Sequence, residues 1–235
     1  MIKRRWLSRK VVGVGEAMIE FAPVGDGLYR RGFAGDTLNT CWHISKIAPD
    51  ARVGYFTRIG TDGSSSEFLQ FLREGGLEGG DIARDGERSI GLYVISLLGA
   101  ERSFSYWRDT SAARRLADDF DVLLHAISGA GLVHISGITL AVIGNEGRRN
   151  LIRALACARS AGAIVSYDPN VRPRLWRNES EMRQALHEAL EVTDIALPSF
   201  DDEATLWAIG TRSGPSSGLA MPVSGKSLSR MGRTR

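Results

Sequence analysis

The sequence predicts an α/β fold in which helices cover a parallel sheet and a small β-sheet is attached. From residue 128 onward, apolar runs typical of strands alternate with segments typical of helices. This alternation implies right-handed crossovers between parallel strands. The opening apolar run reads as another buried strand. Two candidate hairpin regions, near residues 18–35 and 87–108, do not fit the alternation and are expected to form the small sheet.

The first half of the chain predicts strands and helices on either side of the first hairpin. VVGVGEAMIEF reads as a buried strand running into a Gly-containing turn, and AGDTLNTCWHISKI as a Gly-Asp turn followed by helical apolar spacing. RVGYFTRIGTDG predicts a strand and a turn. In SSSEFLQFLREGGL, Ser64–Ser66 offer a helix N-cap, and Gly75 and Gly76 end the helix.

The second half carries the strand–helix alternation. RSIGLYVISLLGAERSFSYW predicts two antiparallel strands around a Gly-Ala turn. AGLVHISGITLAV predicts a strand that reaches a polar turn, and GNEGRRNLIRALACARSAG a helix that ends at Gly162. A strand (AIVSYDPN), a helix (ESEMRQALHEALEVT), a strand (DIALPSF) and the start of a helix (DDEATLWAIG) follow.

The composition is that of a globular protein without a nucleic-acid or membrane partner. The 235 residues are 43% hydrophobic and 24% charged, and no apolar run is long enough to span a bilayer. The net charge of +3 resides at one end, because residues 211–235 contain five basic side chains and no acid. The rest of the chain carries 25 basic and 27 acidic residues, a net charge of −2. No aromatic–basic patch accompanies the basic end.

Cysteine and histidine usage indicates a cytoplasmic protein without a metal cluster of its own. Cys41 and Cys157 are far apart and lie in partly apolar surroundings, which favours two reduced thiols. The four histidines lack metal-ligand spacing.

Two glycine-containing motifs are rejected as nucleotide loops. Gly13 and Gly15 are followed by Glu16, where a dinucleotide site needs a third glycine and room for pyrophosphate. SGKS at 224–227 has Ala220 where a phosphate loop needs its first glycine, and no strand precedes it.

A polar turn after a buried strand is the first candidate site. IVSYDPNVRPRLW, residues 164–176, places a carboxylate, an amide and two guanidiniums on a proline-stiffened turn. Ligands of parallel α/β sheets bind beyond the carboxyl ends of strands, and SGITL and LPSFDDE end two further strands. The alternative is a surface turn with solvated charges.

Two further segments predict a site for a polyhydroxylated ligand. In AGDTLNT, Gly35 permits close backbone approach, and Asp36 and Asn39 can hydrogen-bond hydroxyl groups. The alternative is a plain N-cap by Asp36 with a solvated Asn39. In SYWRD, Tyr106 and Arg108 share one strand face, and Arg108 is a candidate carboxylate or phosphate clamp.

Six motifs follow one another along the chain in the order VGEAMIEF, AGDTLNT, RIGTDG, YWRDTSAAR, DPNVRPRLW and LPSFDDEATLW. With these motifs, residues 10–209 resemble the ribokinase-like (PfkB) sugar kinases, especially the 2-keto-3-deoxygluconate kinase branch. The resemblance implies a three-layer α/β/α sandwich with a β-sheet lid. It also implies ATP- and Mg-dependent phosphorylation of a sugar-acid hydroxyl, converting 2-keto-3-deoxygluconate to its 6-phosphate. A fructokinase- or ribokinase-like activity is the alternative. A lid edge that pairs with a second subunit would make a homodimer.

The resemblance also implies roles for individual residues. Gly35, Asp36 and Asn39 match the sugar-binding turn, while Tyr93 and Tyr106 match lid contacts to substrate. Arg108 matches the residue that faces the carboxylate of the sugar acid.

Further matches concern the phosphate side. Asn170 and Arg172 match an element near the substrate and the transferred phosphate, where Arg172 would neutralise developing charge and contact both ligands. Ser199 stands in place of the asparagine of the family's Asn-x-x-Glu element, and Asp202 or Glu203 stands in place of its acid. We assign no residue as a metal ligand.

The sequence departs from the family at its carboxyl end. It contains no Gly-Ala-Gly-Asp turn, which supplies the family's catalytic base and anion hole, nor the flanking adenine-binding segments. We therefore expect residues 1–210 to form an incomplete, C-terminally truncated kinase domain without activity, and residues 211–235 a disordered, non-family tail. A non-catalytic sugar-binding or assembly protein is the alternative. We favour a displaced reading frame after Gly210 over a native tail, and the nucleotide sequence beyond that codon distinguishes the two.

Overall fold

The computed structural model describes residues 9–99 and 101–202. Glu203 and the tail lie outside this range, as does the amino-terminal octapeptide. The strands are β1 (Val11–Val14), β2 (Met18–Gly25), β3 (Leu28–Ala34), β4 (Val53–Phe56), β5 (Arg58–Ile59), β6 (Ala83–Arg84), β7 (Gly91–Leu98), β8 (Glu101–Trp107), β9 (Leu132–Ser136), β10 (Ile164–Asp168) and β11 (Ile195–Ala196). The helices are α1 (Asp36–Ile47), α2 (Gly63–Glu74), α3 (Phe120–Ile127), α4 (Gly137–Ser160) and α5 (Glu179–Glu191), with 3₁₀ turns at Ala112–Arg115 and Pro173–Leu175.

The central sheet is parallel, as the strand–helix alternation predicts. In the described part of the chain it has five strands in the order β11-β10-β9-β1-β4. Strand β1 pairs with β4 on one side and with β9 on the other. All four residues of β1 are buried, which is why its sequence is apolar throughout instead of alternating.

Helices cover both faces of this sheet. On one face, Val12, Val14 and Phe56 belong to an apolar cluster that includes side chains of α3, α4 and α5. On the other face, Val53 and Tyr55 belong to a second cluster with side chains of α1 and α2. Because successive side chains of a strand point to opposite faces of the sheet, each strand contributes to two separate apolar cores. The three-layer α/β/α prediction is confirmed.

The two predicted hairpins join into one small sheet, the lid, with the order β3-β2-β7-β8. Strands β2 and β3 are antiparallel, as are β7 and β8. The turn between β7 and β8 has Gly99 at φ 63°, a backbone conformation that favours glycine. Parallel pairing of β2 with β7 unites the hairpins, a connection that the sequence did not predict.

Two local predictions were wrong. Helix α2 is capped by Asp62, whose side chain accepts from the Ser65 amide, and not by Ser64–Ser66. The segment SGITL is not a loop, because α4 begins at Gly137 directly after its N-cap Ser136. A serine followed by a helix start satisfies the amide of Thr139 without an intervening turn.

Helix α4 is broken at Gly144, which has φ 68° and ψ 179°. The break frees the Leu140 carbonyl, and the Nε of Arg148 donates to it at 2.8 Å. The Arg148 guanidinium also lies 4.7 Å from the ring of Trp176, in the segment after the Asp168–Arg174 turn. Both segments of α4 contribute to the same apolar core, with Leu140 before the break and Leu155 after it. Within the described ranges, no helix is both long and apolar enough to cross a membrane.

Candidate functional site

Two of the segments predicted to contribute to a site lie together, although the sequence predicted them separately. Asp36 begins α1, and Asn170 follows β10, 134 positions later. The Nδ2 of Asn170 donates to the Oδ2 of Asp36 at 2.9 Å, while the other carboxylate oxygen accepts from the Thr37 amide at 2.8 Å. Asp36 is therefore not a plain N-cap, because its side chain joins the two candidate segments. Both residues are only partly buried, so ligand hydroxyls can reach this pair.

Gly35 packs closely against the segment that connects β1 to β2. A side chain at Gly35 would overlap the carbonyl oxygen of Glu16. Its backbone φ of 172° is ordinary extended geometry, so close packing and not backbone strain requires glycine here. The neighbour that Gly35 approaches closely within the chain is thus Glu16, between β1 and β2, while close approach of a ligand to Gly35 stays a prediction. Asn39 lies on the first turn of α1 with an exposed side chain.

The turn that carries Arg172 has a fixed backbone. Asn170 has a φ of 35°, a left-handed conformation that asparagine tolerates better than most residues. The Oδ1 of Asp168 accepts from the Asn170 amide at 3.0 Å, forming an Asx turn. The Val171 amide donates to the Oδ1 of Asp202 at 2.8 Å. Asp168 and Asp202 therefore both hold the backbone of this turn in place.

Ser199 and Asp202 cap the helix that begins at Phe200. The Ser199 amide donates to the Oδ2 of Asp202 at 3.1 Å, and the Asp202 amide donates back to the Ser199 hydroxyl at 3.1 Å. This reciprocal pair is a capping box with aspartate in the third helical position. Both carboxylate oxygens of Asp202 accept hydrogen bonds, so the acid that we matched to the phosphate side is engaged in the chain's own structure.

A cavity of 520 Å³ opens between this cap and the Arg172 turn. Its lining residues are Asp168, Asn170, Val171, Arg172, Leu197, Pro198, Ser199, Asp201 and Asp202. Arg172 is exposed, and its Nη1 donates to the Val171 carbonyl at 2.9 Å. The guanidinium has further donors, so it can also meet an anionic group in the cavity.

Among the carboxylates that line this cavity, Asp168 is harder to ionise than a free carboxyl. Burial raises the pKa of Asp168 from its usual value, and the neighbouring Asp36 and Asp202 raise it further. The Asn170 amide and Arg172 oppose this effect. The folded protein therefore binds a proton at Asp168 more tightly than the unfolded chain does.

We expect Asp168→Asn to raise the melting temperature at pH 7. The ionised carboxylate costs stability above its raised pKa, and this cost disappears below the unfolded-state pKa of about 3.9. The gain should therefore shrink as the pH falls to 4 and below. Calorimetry from pH 3.5 to pH 8 checks it, with the exposed Asp50→Asn as control. A gain of equal size at every pH would contradict this assignment.

The lid carries a group of neighbouring aromatic rings. The Tyr93 hydroxyl donates to the carboxylate of Glu20, and its ring centroid lies 5.7 Å from that of Tyr106 and 6.0 Å from that of Phe104. Tyr93 is buried, whereas Tyr106 and Phe104 are about half exposed, at 49% and 48%. The exposed rings can pack against the apolar face of a sugar.

Arg108 is not a freely exposed cation. It is 7% exposed, and its Nη2 donates to the Oε2 of Glu16. The Ser111 hydroxyl donates to the other Glu16 oxygen at 2.7 Å. The Nε of Arg108 is buried and has no hydrogen-bond partner among the described residues. Burial raises the pKa of Glu16, and the charge of Arg108 opposes this shift.

Sequence reasoning missed Glu16 as a site residue. We considered it only as an obstacle to pyrophosphate binding. A carboxylate at the end of an apolar strand is itself a signal, because a buried acid needs a partner. The partner, 92 positions away, could not be identified from local spacing.

The described residues do not form a magnesium site of their own. No group of three or more acidic, histidine or cysteine side chains within residues 9–99 and 101–202 could hold a metal ion. Asp202 already accepts three hydrogen bonds. Mg²⁺ commonly takes one or two carboxylates and relies on water and phosphate oxygens for the rest. We therefore derive no chemical step through the metal.

Comparison with known proteins identifies the family. The profile of the "pfkB family carbohydrate kinase" matches residues 8–212. A 2-dehydro-3-deoxygluconokinase of Dickeya dadantii is 39% identical over 205 residues, which are 85% of this chain and 66% of that protein. A fructokinase-1 of Zea mays is 30% identical over 194 residues, covering 79% of this chain and 58% of that protein.

Structural similarity points to the same fold. The crystal structure of a 2-dehydro-3-deoxygluconokinase from Thermotoga maritima superposes with a TM-score of 0.77 at 24% identity, over 87% of this chain and 64% of that one. The protein belongs to the pfkB family of carbohydrate kinases. It spans slightly less than two thirds of the length of these relatives.

Proposed function

We propose that this protein derives from a sugar-acid kinase that transfers the terminal phosphoryl group of ATP to 2-keto-3-deoxygluconate, giving the 6-phosphate. The hydrogen bond between Asn170 and Asp36 carries this proposal, because it joins the hydroxyl-binding turn to the turn of Arg172. The 39% identity to a 2-dehydro-3-deoxygluconokinase supports the substrate class. A cytoplasmic location is part of the proposal, since ATP is abundant there.

The chemistry assigned to the described residues is binding, orientation and charge neutralisation. Asp36 and Asn39 can accept hydrogen bonds from sugar hydroxyls. Arg172 lies at the mouth of the cavity and can neutralise charge that develops on the transferred phosphoryl group. ATP supplies that group, with its phosphates placed in the cavity beside Arg172. The proton acceptor belongs, by resemblance, to the Gly-Ala-Gly-Asp turn that this sequence lacks.

Arg108 supports an acid over a neutral sugar. The guanidinium lies 5.6 Å from the ring of Tyr106, near the aromatic face of the lid. Although Arg108 is paired with Glu16, one guanidinium can donate to two carboxylates, because it has five N–H groups. A substrate carboxylate would therefore join an existing pair.

We expect Arg108→Met to weaken binding of 2-keto-3-deoxygluconate by about 30- to 160-fold, because a charge-assisted hydrogen bond is worth about 2–3 kcal/mol. Binding of fructose, which has no carboxylate, should change much less. Titration calorimetry of the 235-residue chain measures both sugars. Arg102→Met, on the same lid strand and exposed, is the matched control.

The fructokinase relative favours a second candidate, a kinase for a neutral ketose. The same titrations separate the two. If fructose binds more tightly than the sugar acid, or if both lose equal affinity in Arg108→Met, the neutral-sugar candidate replaces the first. A chain that binds a sugar but lacks turnover even when extended with a Gly-Ala-Gly-Asp segment would indicate a non-catalytic sugar-binding protein.

We also propose a homodimer through the lid. Strands β3 and β8 are the edges of the lid sheet, and both carry exposed side chains. Large exposed hydrophobic residues of the lid are Val24, Leu28, Tyr29, Leu97, Leu98, Phe104, Tyr106 and Trp107. An exposed apolar sheet of this kind is a typical surface for pairing with a second copy.

We expect light scattering to give the mass of a dimer at micromolar concentration. Because the interface would be apolar, Leu97→Glu with Leu98→Glu should yield a monomer of unchanged helix content. Ile47→Glu, an equally exposed position on α1, is the control. A wild-type monomer would contradict the proposed assembly.

A further inference from the structure

We infer that Glu16 is a positioning residue that fixes the lid, and with it Arg108, on the central sheet. The inference rests on the proposed function for the identity of the ligand. The role itself rests on the contacts that meet at this one side chain.

Glu16 lies where the lid joins the rest of the protein. It follows β1, an interior strand of the central sheet, and precedes β2, the first lid strand. Its side chain is 1% exposed. Strand β1 has a hydrogen-bonded neighbour on each side. Glu16 is therefore attached to a buried strand that is paired on both sides.

The chain passes between the lid and the rest of the protein at three further points, and residues at each of them lie close to Glu16. Gly35, which follows β3, packs against the Glu16 carbonyl so closely that a side chain there would overlap it. A Cβ at Gly91, the first residue of β7, would lie 3.3 Å from the Glu16 Oε1. Arg108 and Ser111, which follow β8, donate to the two carboxylate oxygens. Both oxygens of the Glu16 carboxylate thus bind the segment in which the chain leaves the lid after β8.

The lid needs this attachment most along β8. All seven residues of β8 are exposed, and β8 pairs only with β7 within the described sheet. Arg108 directly follows β8 and is buried. The pair with Glu16 therefore fixes the end of an otherwise exposed strand that carries Tyr106.

The same pair determines the position of the Arg108 guanidinium. Its Nε already lacks a hydrogen-bond partner, so Glu16 supplies the main compensation for a buried positive charge. Without that carboxylate, an unpaired charge in this place is costly, and the guanidinium would turn toward water. It would then leave its place beside the ring of Tyr106.

The test compares Glu16→Gln with wild type in the whole chain. Glutamine keeps the size of the side chain and an acceptor for Ser111, but removes the charge that holds Arg108. We expect binding of 2-keto-3-deoxygluconate to weaken at least 10-fold, and amide hydrogen exchange of residues 101–108 to accelerate at least 10-fold. Glu67→Gln is the matched control, because Glu67 forms an exposed pair with Arg31 of the lid.

A double-mutant cycle separates positioning from an independent effect. If Glu16 acts through Arg108, then Glu16→Gln with Arg108→Met should bind the sugar acid no worse than Arg108→Met alone. Additive losses would overturn the inference. Unchanged exchange in Glu16→Gln would also overturn it, as would tighter binding, which would mean that Glu16 competes with the substrate for Arg108.

A second variant and a second measurement test the role of Glu16 if the first experiment fails. If Glu16→Gln does not fold, Glu16→Asp retains the charge at a shorter reach and should show the same changes. If wild type binds no sugar acid, the proposed function fails. The exchange of residues 101–108 and the coupling of the two substitutions in the free energy of unfolding still decide the role of Glu16.

Discussion

The 235-residue chain will release no ADP from ATP in the presence of 2-keto-3-deoxygluconate. The sequence lacks the Gly-Ala-Gly-Asp turn, which by resemblance provides a general base and backbone donors for the transferred group. Each kind of contribution accelerates reactions by about 10²- to 10⁴-fold. Their joint loss removes about four to eight orders of magnitude, which places turnover below detection in a coupled ADP assay.

Extension of the chain provides the comparison. A protein that continues past residue 210 with a family segment containing the Gly-Ala-Gly-Asp turn should turn over. The same extension with asparagine in place of the motif's aspartate should not. Turnover by the unextended chain at a rate similar to the extended protein would contradict the prediction, and would require a base among the residues described above.

In the extended protein, Arg172→Ala will lower kcat by about 10²- to 10³-fold with a much smaller change in KM. The loss is of the size found when one preorganised donor to a developing charge is removed. Arg172 is exposed and donates one described hydrogen bond, to the neighbouring Val171 carbonyl, so the melting temperature should stay within about 2 °C.

Two further variants make the Arg172 prediction specific. Arg174→Ala removes an exposed guanidinium from the same turn and should leave kcat within about threefold. Arg172→Lys restores the charge without the planar fork and should recover only part of the rate. Equal losses at both arginines would indicate a general effect of positive charge, and not a specific role of Arg172.

The sequence predicted those parts of the fold that local pattern determines. Strand β1 is apolar throughout because both of its faces are buried, and this pattern is visible without a structure. The antiparallel strands around Gly99 were recognisable from alternation and turn residues. The start of α4 at Gly137 was not, because Ser136 serves both as the last strand residue and as the helix cap.

The sequence predicted which segments contribute to the candidate site, but it did not predict the hydrogen bonds between them. The strand ends predicted that the turn of Asn170 and Arg172 meets the SGITL and LPSFDDE segments at one edge of the sheet, since parallel strands end on the same side. Asp36 was predicted separately, from its glycine-containing turn. Glu16 pairs with Arg108, which is 92 positions away, and the Val171 amide donates to Asp202, which is 31 positions away. Such contacts depend on the assembled tertiary structure, which periodicity does not encode.

The bond from the Val171 amide to Asp202 also has a consequence for biosynthesis. Chains emerge from the ribosome amino end first, and early segments begin to fold before later ones exist. The Gly35–Asp36 turn, the lid and β1 are complete in the first half of the chain. The turn of Arg172 acquires its last backbone partner only when residue 202 has been synthesised. The side proposed to bind the sugar can therefore form on the nascent chain well before the side proposed to bind phosphate is fixed.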